Sequence, residues 1–209
     1  MYAKAAIKPN TLLRNGAYGI VMRGVQKCTC AGASLRGRNS APLCCIKLDT
    51  ATDIGSGPGA FLSLVEETFP DIQLNALDLS EEMINETKER LSNTAIATVG
   101  DSENMPLEGE QYQVVTCNMS IHHYPHPQNA LNEMYRILKP GGYLLLNDMD
   151  CIAPIRAAAN WIFPRLPGGD VKMYRRDEIE EMVRSAGFQN IRYRKISPFS
   201  FQCIAEKTL

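Results

Sequence analysis

Glycines gather at one junction of the chain in a pattern suited to binding a ligand. The run Gly55-Ser56-Gly57-Pro58-Gly59 lies between a short apolar segment and a helical pattern. Glycines at such a junction let the backbone approach a ligand closely, and the N-terminus of the following helix offers free N–H groups. This loop is therefore the first place to expect a cofactor.

An acidic residue follows the next apolar run, where it can contact the same ligand. Asp78 comes 23 positions after Gly55, at the end of the second predicted strand. A carboxylate there can accept hydrogen bonds from the hydroxyl groups of a ribose. The spacing Gly55-x-Gly57-x-x-Ala60 also satisfies the dinucleotide fingerprint, so an NAD-linked oxidoreductase stays open on this pattern alone.

Further features depart from a plain dinucleotide loop. Asp53 stands two residues before the first glycine, where many dinucleotide loops have an apolar residue, and Gly59 makes the loop G-x-G-x-G. Asp101 ends the third predicted strand. Two longer motifs follow, VVTCNMSIHH over residues 114–123 and LKPGGYLLL over residues 138–146.

Strand and helix patterns alternate from residue 49 onward, which predicts one domain over 49–209. Repeated strand–helix–strand units require right-handed crossovers, so the predicted fold class is α/β, a doubly wound and mostly parallel sheet. Two final strands, joined by a short turn at Ser197-Pro198, predict an antiparallel hairpin at the edge. The apolar runs that predict strands are 50–54, 72–78, 95–99, 113–118, 143–147, 189–195 and 199–205.

Over about residues 50–205 the ordered motifs resemble those of the class I S-adenosylmethionine-dependent methyltransferases, in particular the small-molecule branch. The resemblance implies a seven-stranded Rossmann-like sheet with an antiparallel final strand, and S-adenosyl-L-methionine as the cofactor. It also implies the cofactor contacts. Asp78 would bind the ribose hydroxyls and Leu79 would pack on the adenine, while Asp101 would accept the adenine amino group beside the Ser102 N–H. The methionine end would be lined by Asp53, Gly55, Ser56, Gly57 and Asn118, with Gly59 completing the loop.

Each of these assignments has a structural alternative. The glycines can serve a tight turn, and Asp78 can begin a helix beside Ser80. Asp101 is also a common turn residue, and Asn118 can simply end a strand. The motif around 138–146 carries no chemistry, because it reads as a helix end followed by a buried strand.

The three histidines of the chain, His122, His123 and His126, follow the fourth predicted strand on the side expected for the substrate. A sulfonium methyl is already electrophilic, so the protein must mainly hold a nucleophile in line and exclude water. A general base is needed only for a protonated acceptor, and His122 or His123 is placed to act as one. Packing or capping is the alternative for both.

Composition sets the broad class. The chain has 209 residues, with 22 basic and 23 acidic side chains and a net charge of −1. This balance gives no reason to expect a nucleic-acid partner. No run of eighteen apolar residues exists, which predicts no membrane span. Seven cysteines without a secretory signal argue against a disulfide scaffold and predict a cytoplasmic protein.

Two segments do not fit the repeating pattern. Residues 1–48 contain eight basic side chains, no acidic one and four cysteines, and they read as a basic N-terminal extension. The alternatives are a transit-like peptide and a metal site from the pairs Cys28/Cys30 and Cys44/Cys45, although neither pair has zinc-ligand spacing. Residues 149–174 include a short apolar helix with Trp161, which is predicted either to cap a pocket or to pack on the N-terminal extension.

The sequence therefore predicts an S-adenosylmethionine-dependent methyltransferase that acts on a small or medium-sized acceptor by in-line displacement, without a metal. Two alternatives remain at this point, an NAD-dependent oxidoreductase and a cofactor-binding module without catalysis. The sequence does not name the acceptor atom, the acceptor itself or the oligomeric state.

Overall fold

A computed structural model describes residues 49–92, 95–166 and 168–209. The predicted basic extension at 1–48, with its cysteine pairs, lies outside the described residues.

Strands and helices alternate along the described chain as the sequence predicts. The strands are β1 (Thr50–Ile54), β2 (Gln73–Asp78), β3 (Ile96–Val99), β4 (Tyr112–Asn118), β5 (Leu138–Met149), β6 (Gln189–Ser197) and β7 (Ser200–Glu206). The helices are α1 (Ala60–Thr68), α2 (Glu81–Arg90), α3 (Pro127–Ile137), α4 (Ala153–Ile162) and α5 (Arg176–Ser185), with 3-10 turns at Ile121–His123 and Phe163–Arg165.

The seven strands form one sheet in the order β3-β2-β1-β4-β5-β7-β6. Neighbouring strands from β3 to β5 pair in parallel, whereas β7 is antiparallel to both β5 and β6. The predicted fold class, a mostly parallel seven-stranded sheet with an antiparallel edge, is confirmed. The strand order reverses between β1 and β4, and ligands of open α/β sheets bind at the carboxyl ends of the strands beside such a reversal.

Helix α2 shows how local sequence sets an element that borders this edge. Ser80 precedes the helix, and its hydroxyl oxygen accepts a hydrogen bond from the Met83 N–H at 3.4 Å. Glu81 and Glu82 lie in the first turn, where their negative charges interact favourably with the positive end of the helix dipole. Ile84 and Thr87 are its buried residues, and the Thr87 hydroxyl donates to the Gly57 carbonyl at 2.9 Å. The cap and the acidic first turn together stabilise the start of this helix.

Strand β5 is longer than the sequence predicts. The sequence predicts a strand that begins at Tyr143, after a helix end at Lys139-Pro140-Gly141-Gly142, whereas the strand begins at Leu138. Leu138 pairs with Tyr112, and a register shift before Val114 accommodates the glycines. The Gly141 N–H donates to the Lys207 carbonyl at 2.6 Å and the Lys207 N–H donates to the Gly142 carbonyl at 2.9 Å, so the C-terminal segment holds the glycine pair in the strand although Gly141 has a left-handed φ of +78°.

Helix α4 forms within residues 149–174, as predicted, but it buries none of its residues. Trp161 is 65 % exposed, and the Arg165 guanidinium lies 4.6 Å from the centre of its ring. No helix in the described ranges combines the length and apolar character that crossing a bilayer requires.

Candidate functional site

A cleft of about 660 Å³ opens at the carboxyl edge of the sheet, on the side of β1, β2, β3 and β4. Its volume suits a ligand of nucleotide size. The residues that line it come from the end of β2, the loops after those four strands, the start of α2 and the segment before α5: Gly55, Leu77, Asp78, Leu79, Ser80, Met83, Gly100, Asp101, Ser102, Glu103, Ser120, His123, Tyr124, Pro125 and Gly168.

Gly55 lies at the point where the loop after β1 meets the loop after β4. Its φ of +67° is in the left-handed region, and a Cβ built there would lie 1.8 Å from the Ser120 hydroxyl oxygen. The Ser120 hydroxyl donates to the Tyr124 hydroxyl at 2.8 Å, and Tyr124 donates in turn to the Ile54 carbonyl at 3.4 Å. Only glycine fits this close approach.

Asp78 is held at the centre of the cleft by the backbone. The Gly57 N–H donates to Asp78 Oδ2 at 2.8 Å, and the Ser80 N–H donates to Oδ1 at 2.9 Å. A carboxylate has about four acceptor positions, so both oxygens keep capacity for further donors. The side chain is half-buried and lines the cleft, which suits a carboxylate that accepts from vicinal hydroxyl groups.

Asp101 and Leu79 border the outer end of the cleft. Asp101 is exposed, and its Oδ1 accepts a hydrogen bond from the Glu103 N–H at 2.8 Å. Ser102 beside it is buried. Leu79 is 74 % exposed although it is apolar, so it presents a surface on which a flat ring can pack. The assignment of this end to adenine stays a prediction.

Asp53 lies beneath the cleft and not on its wall. It is 1 % exposed, and its Oδ1 accepts hydrogen bonds from Thr116 Oγ1 at 2.6 Å and Asn118 Nδ2 at 2.9 Å. Burial raises the pKa of Asp53 to about 7, because burial disfavours the charged form of the carboxyl group. The two hydrogen bonds lower this pKa, and the nearby charge of Asp78 raises it further. Asn118 Oδ1 accepts in turn from Asn147 Nδ2 at 2.8 Å.

The other predicted loop residues have structural contacts of their own. Ser56 is buried, and its N–H donates to the Leu77 carbonyl at 3.1 Å. Gly59 precedes α1 with a φ of +72°, and a Cβ there would lie 3.0 Å from Thr87 of α2. By contrast, a Cβ on Gly57 would meet no atom within 4 Å. The structure thus brings Gly55, Asp78, Leu79, Asp101 and Ser102 to the cleft wall, and places Asp53, Ser56, Gly57, Gly59 and Asn118 around or beneath it.

The two adjacent histidines have different surroundings. His122 is buried, and its Nδ1 lies 2.6 Å from Asp148 Oδ1. The side chain of His123 is 42 % exposed and lines the cleft. Asp170 approaches both rings, at 3.3 Å from His122 Nε2 and 3.5 Å from His123 Nδ1. The exposed His126 lies apart from the cleft wall, and its backbone N–H donates to Glu103 Oε1 at 2.6 Å.

The sequence reading missed three residues of this region. Asp148 lies near the carboxyl end of β5, so the rule that selected Asp78 and Asp101 would also have selected it. Tyr124 directly follows the motif quoted over residues 114–123, and burial raises the pKa of its hydroxyl well above the usual range. Asp170 is in an irregular segment, and no local signal predicts its approach to the histidines.

Residues 38–193 match the sequence profile of the family described as "Methyltransferase domain". This match covers about three quarters of the chain. The chain belongs to the methyltransferase domain family. The predicted membership of the class I S-adenosylmethionine-dependent methyltransferases is confirmed, and with it S-adenosyl-L-methionine as the cofactor rather than a nicotinamide dinucleotide.

Individual methyltransferases are similar over most of the domain. The arsenite methyltransferase of Halobacterium salinarum is 28 % identical over 68 % of this chain and 38 % of that protein. The ubiquinone/menaquinone biosynthesis C-methyltransferase UbiE of Roseobacter denitrificans is 30 % identical over 58 % of each chain. The chain thus spans less than two thirds of either relative. A SAM-dependent methyltransferase structure from Aquifex aeolicus superposes with a TM-score of 0.68 at 17 % identity, over 95 % of this chain and 94 % of that one.

The residues of this methyltransferase domain fit S-adenosylmethionine. Asp78 keeps acceptor capacity for ribose hydroxyls, Leu79 offers an exposed apolar face, and the space beside Gly57 is open. When bound, the cofactor supplies an electrophilic methyl group on a sulfonium.

Asp101→Asn tests the adenine end of the cleft. If the carboxylate accepts a hydrogen bond from the adenine amino group, the variant should discriminate less well between S-adenosylhomocysteine and its hypoxanthine analogue. The ratio of the two affinities should fall by up to about tenfold, because the asparagine amide can donate to the hypoxanthine oxygen. Calorimetric titration of both ligands measures this. An equal loss of affinity for the two ligands would instead assign Asp101 to the turn it makes with Glu103.

Proposed function

We propose that this domain transfers the methyl group of S-adenosylmethionine to a small or medium-sized acceptor molecule by in-line displacement. The observation that carries the proposal is the cleft itself. Its outer end presents Leu79 and Asp101, with Asp78 at its centre. Its other end is lined by Ser120, His123 and Tyr124 from the loop after β4. One cavity therefore offers an end suited to a nucleoside and a second, polar end.

The similar proteins favour an acceptor of this size. One relative is named for arsenite and another for ubiquinone and menaquinone biosynthesis, and both names indicate small molecules. The two names also describe different acceptor atoms. We therefore propose the class of acceptor and leave the atom to the assay.

The protein's part in such a reaction is mainly positional. Holding two reactants in line can lower a barrier by about 7–11 kcal/mol in favourable systems. The Ser120–Tyr124 pair, fixed on the Ile54 carbonyl, gives the acceptor end a rigid wall. His123 lines that end and His122 lies behind it, so we propose His123 as the histidine that contacts the acceptor. A general-base role for either histidine stays a prediction.

The experiment is transfer of a labelled methyl group from S-adenosylmethionine to an acceptor panel that includes arsenite, a quinol, catechols and small amines. We expect a labelled product with at least one acceptor. Asp78→Ala should raise the KM for S-adenosylmethionine and leave kcat nearly unchanged, since the ribose contact exists equally in the ground and transition states. Cofactor binding without transfer to any acceptor would favour the inactive binding module instead.

A further inference from the structure

Three side-chain atoms that bear lone pairs converge at the side of the cleft. Asp170 Oδ1 lies 3.3 Å from His122 Nε2 and 3.5 Å from His123 Nδ1. The ligand atoms of these three residues all lie within 4.8 Å of one another. His123 lines the cleft, so this cluster of His122, His123 and Asp170 reaches the cleft through His123.

The orientation of His122 is set by a fourth residue. Its Nδ1 lies 2.6 Å from Asp148 Oδ1, and its backbone N–H donates to Asp148 Oδ2 at 3.3 Å. A neutral imidazole has a single N–H, so the nitrogen that donates to Asp148 leaves Nε2 as an acceptor aimed at Asp170. Two acceptors that face each other at 3.3 Å repel unless a positive charge lies between them.

The loop that carries Asp170 is fixed against the histidines by the backbone. The N–H groups of Val171 and Lys172 donate to the His122 carbonyl at 2.8 and 3.2 Å. Gly169 adopts a φ of +77° at the point where a Cβ would lie 3.9 Å from His123 Nδ1. The nearby Lys172 ammonium is paired with Glu178 at 2.7 Å. Its charge is therefore directed toward Glu178 and not toward the histidine cluster.

We propose that His122, His123 and Asp170 form a binding site for a divalent transition-metal ion, with a coordination position open to the cleft. Ligand atoms about 2.0–2.2 Å from a tetrahedral ion lie about 3.4 Å from one another, close to the two measured separations. Two imidazoles and one carboxylate suit zinc and its neighbours among the first-row metals. Asp148 would be the outer-shell carboxylate that orients a metal-bound histidine.

An open position on such an ion suits an acceptor hydroxyl or thiol, an extension that rests on the proposed function. A metal-bound hydroxyl or thiol releases its proton to water more readily. A lone pair of the deprotonated acceptor oxygen or sulfur then forms the bond to the methyl carbon. The electron pair of the broken carbon–sulfur bond stays on the sulfur of the departing S-adenosylhomocysteine.

Cobalt(II) titration of the chelator-treated full chain tests the site. Co²⁺ is the probe because its absorption spectrum separates nitrogen and oxygen ligands from thiolates, and the chain has seven cysteines. We expect one Co²⁺ ion without a thiolate charge-transfer band. Removal of an outer-shell partner costs about 10–100-fold in metal affinity, so Asp148→Asn should weaken binding by this factor, and His123→Ala and Asp170→Asn by at least as much.

His126→Ala is the matched control, because it removes an exposed histidine from the same segment and should leave Co²⁺ affinity unchanged. His123 and Asp170 are partly exposed, so their variants should fold, which circular dichroism can verify. Three results would overturn the proposal: absence of Co²⁺ binding, a spectrum due to thiolates alone, or unchanged affinity in folded His123→Ala and Asp170→Asn. The positive charge between His122 and Asp170 would then belong to a proton on the histidine. The titration needs no turnover, so a failure of methyl transfer would leave its result interpretable.

Discussion

Asp78→Ala is expected to weaken the binding of S-adenosylhomocysteine by about 10–100-fold. The carboxylate is held by the Gly57 and Ser80 amides with acceptor positions left over, and hydrogen bonds to a charged group contribute roughly 1.5–3 kcal/mol. Each 1.4 kcal/mol corresponds to about tenfold in affinity. Calorimetric titration of the folded variant measures the change.

Asp71→Ala is a suitable control for this titration. Asp71 is an exposed aspartate in the turn before β2, away from the cleft lining, so its removal changes the net charge by the same amount. The control should bind S-adenosylhomocysteine with unchanged affinity. If Asp78→Ala also binds with unchanged affinity, the ribose does not contact this carboxylate.

Asp53→Asn is expected to alter how the stability of the protein depends on pH. Burial raises the pKa of Asp53 from 3.8 to about 7, so between these values the folded protein holds a proton that the unfolded chain has released. The free energy of unfolding therefore falls as the pH rises through this window. Each pKa unit corresponds to about 1.4 kcal/mol, so the loss approaches about 4 kcal/mol above pH 7.

The asparagine variant should lack this loss because it has no charge to bury. Its amide oxygen can replace Oδ1, which accepts both the Thr116 and the Asn118 hydrogen bonds. Urea unfolding of both proteins between pH 4 and pH 8 measures the difference. We expect the variant to become the more stable protein as the pH rises, whereas parallel stability profiles would show that Asp53 does not titrate in this range.

Local patterns were sufficient to predict the sheet. Apolar runs and glycines mark the strands and helices, and parallel strands bring their carboxyl ends to one edge. The resemblance to a methyltransferase family then implied that Asp78 and Asp101 contact one cofactor, and both residues line one cleft. The error at β5 has a tertiary cause. A Pro-Gly-Gly segment reads as a turn in isolation, but the backbone hydrogen bonds that join Gly141 and Gly142 to Lys207, far along the chain, hold it in the strand.

Burial and long-range contacts set the details that the sequence could not show. The resemblance implied that Asp53 contacts the cofactor. Whether this side chain faces the cleft depends on its hydrogen bonds to Thr116 and Asn118 of β4, which sequence alone does not reveal. Likewise, Asp170 meets the histidines through an irregular loop whose path depends on backbone bonds to His122. No spacing rule connects residues 122 and 170.

The measurement that tests the central claim most directly is calorimetric titration of the purified chain with S-adenosylmethionine, S-adenosylhomocysteine and NADH. The cleft geometry and the family membership predict that the first two ligands bind one per chain, and that NADH neither binds nor displaces them. Tight binding of NADH together with no binding of either sulfur nucleoside would contradict the assignment of this cleft to a methyl-transfer cofactor.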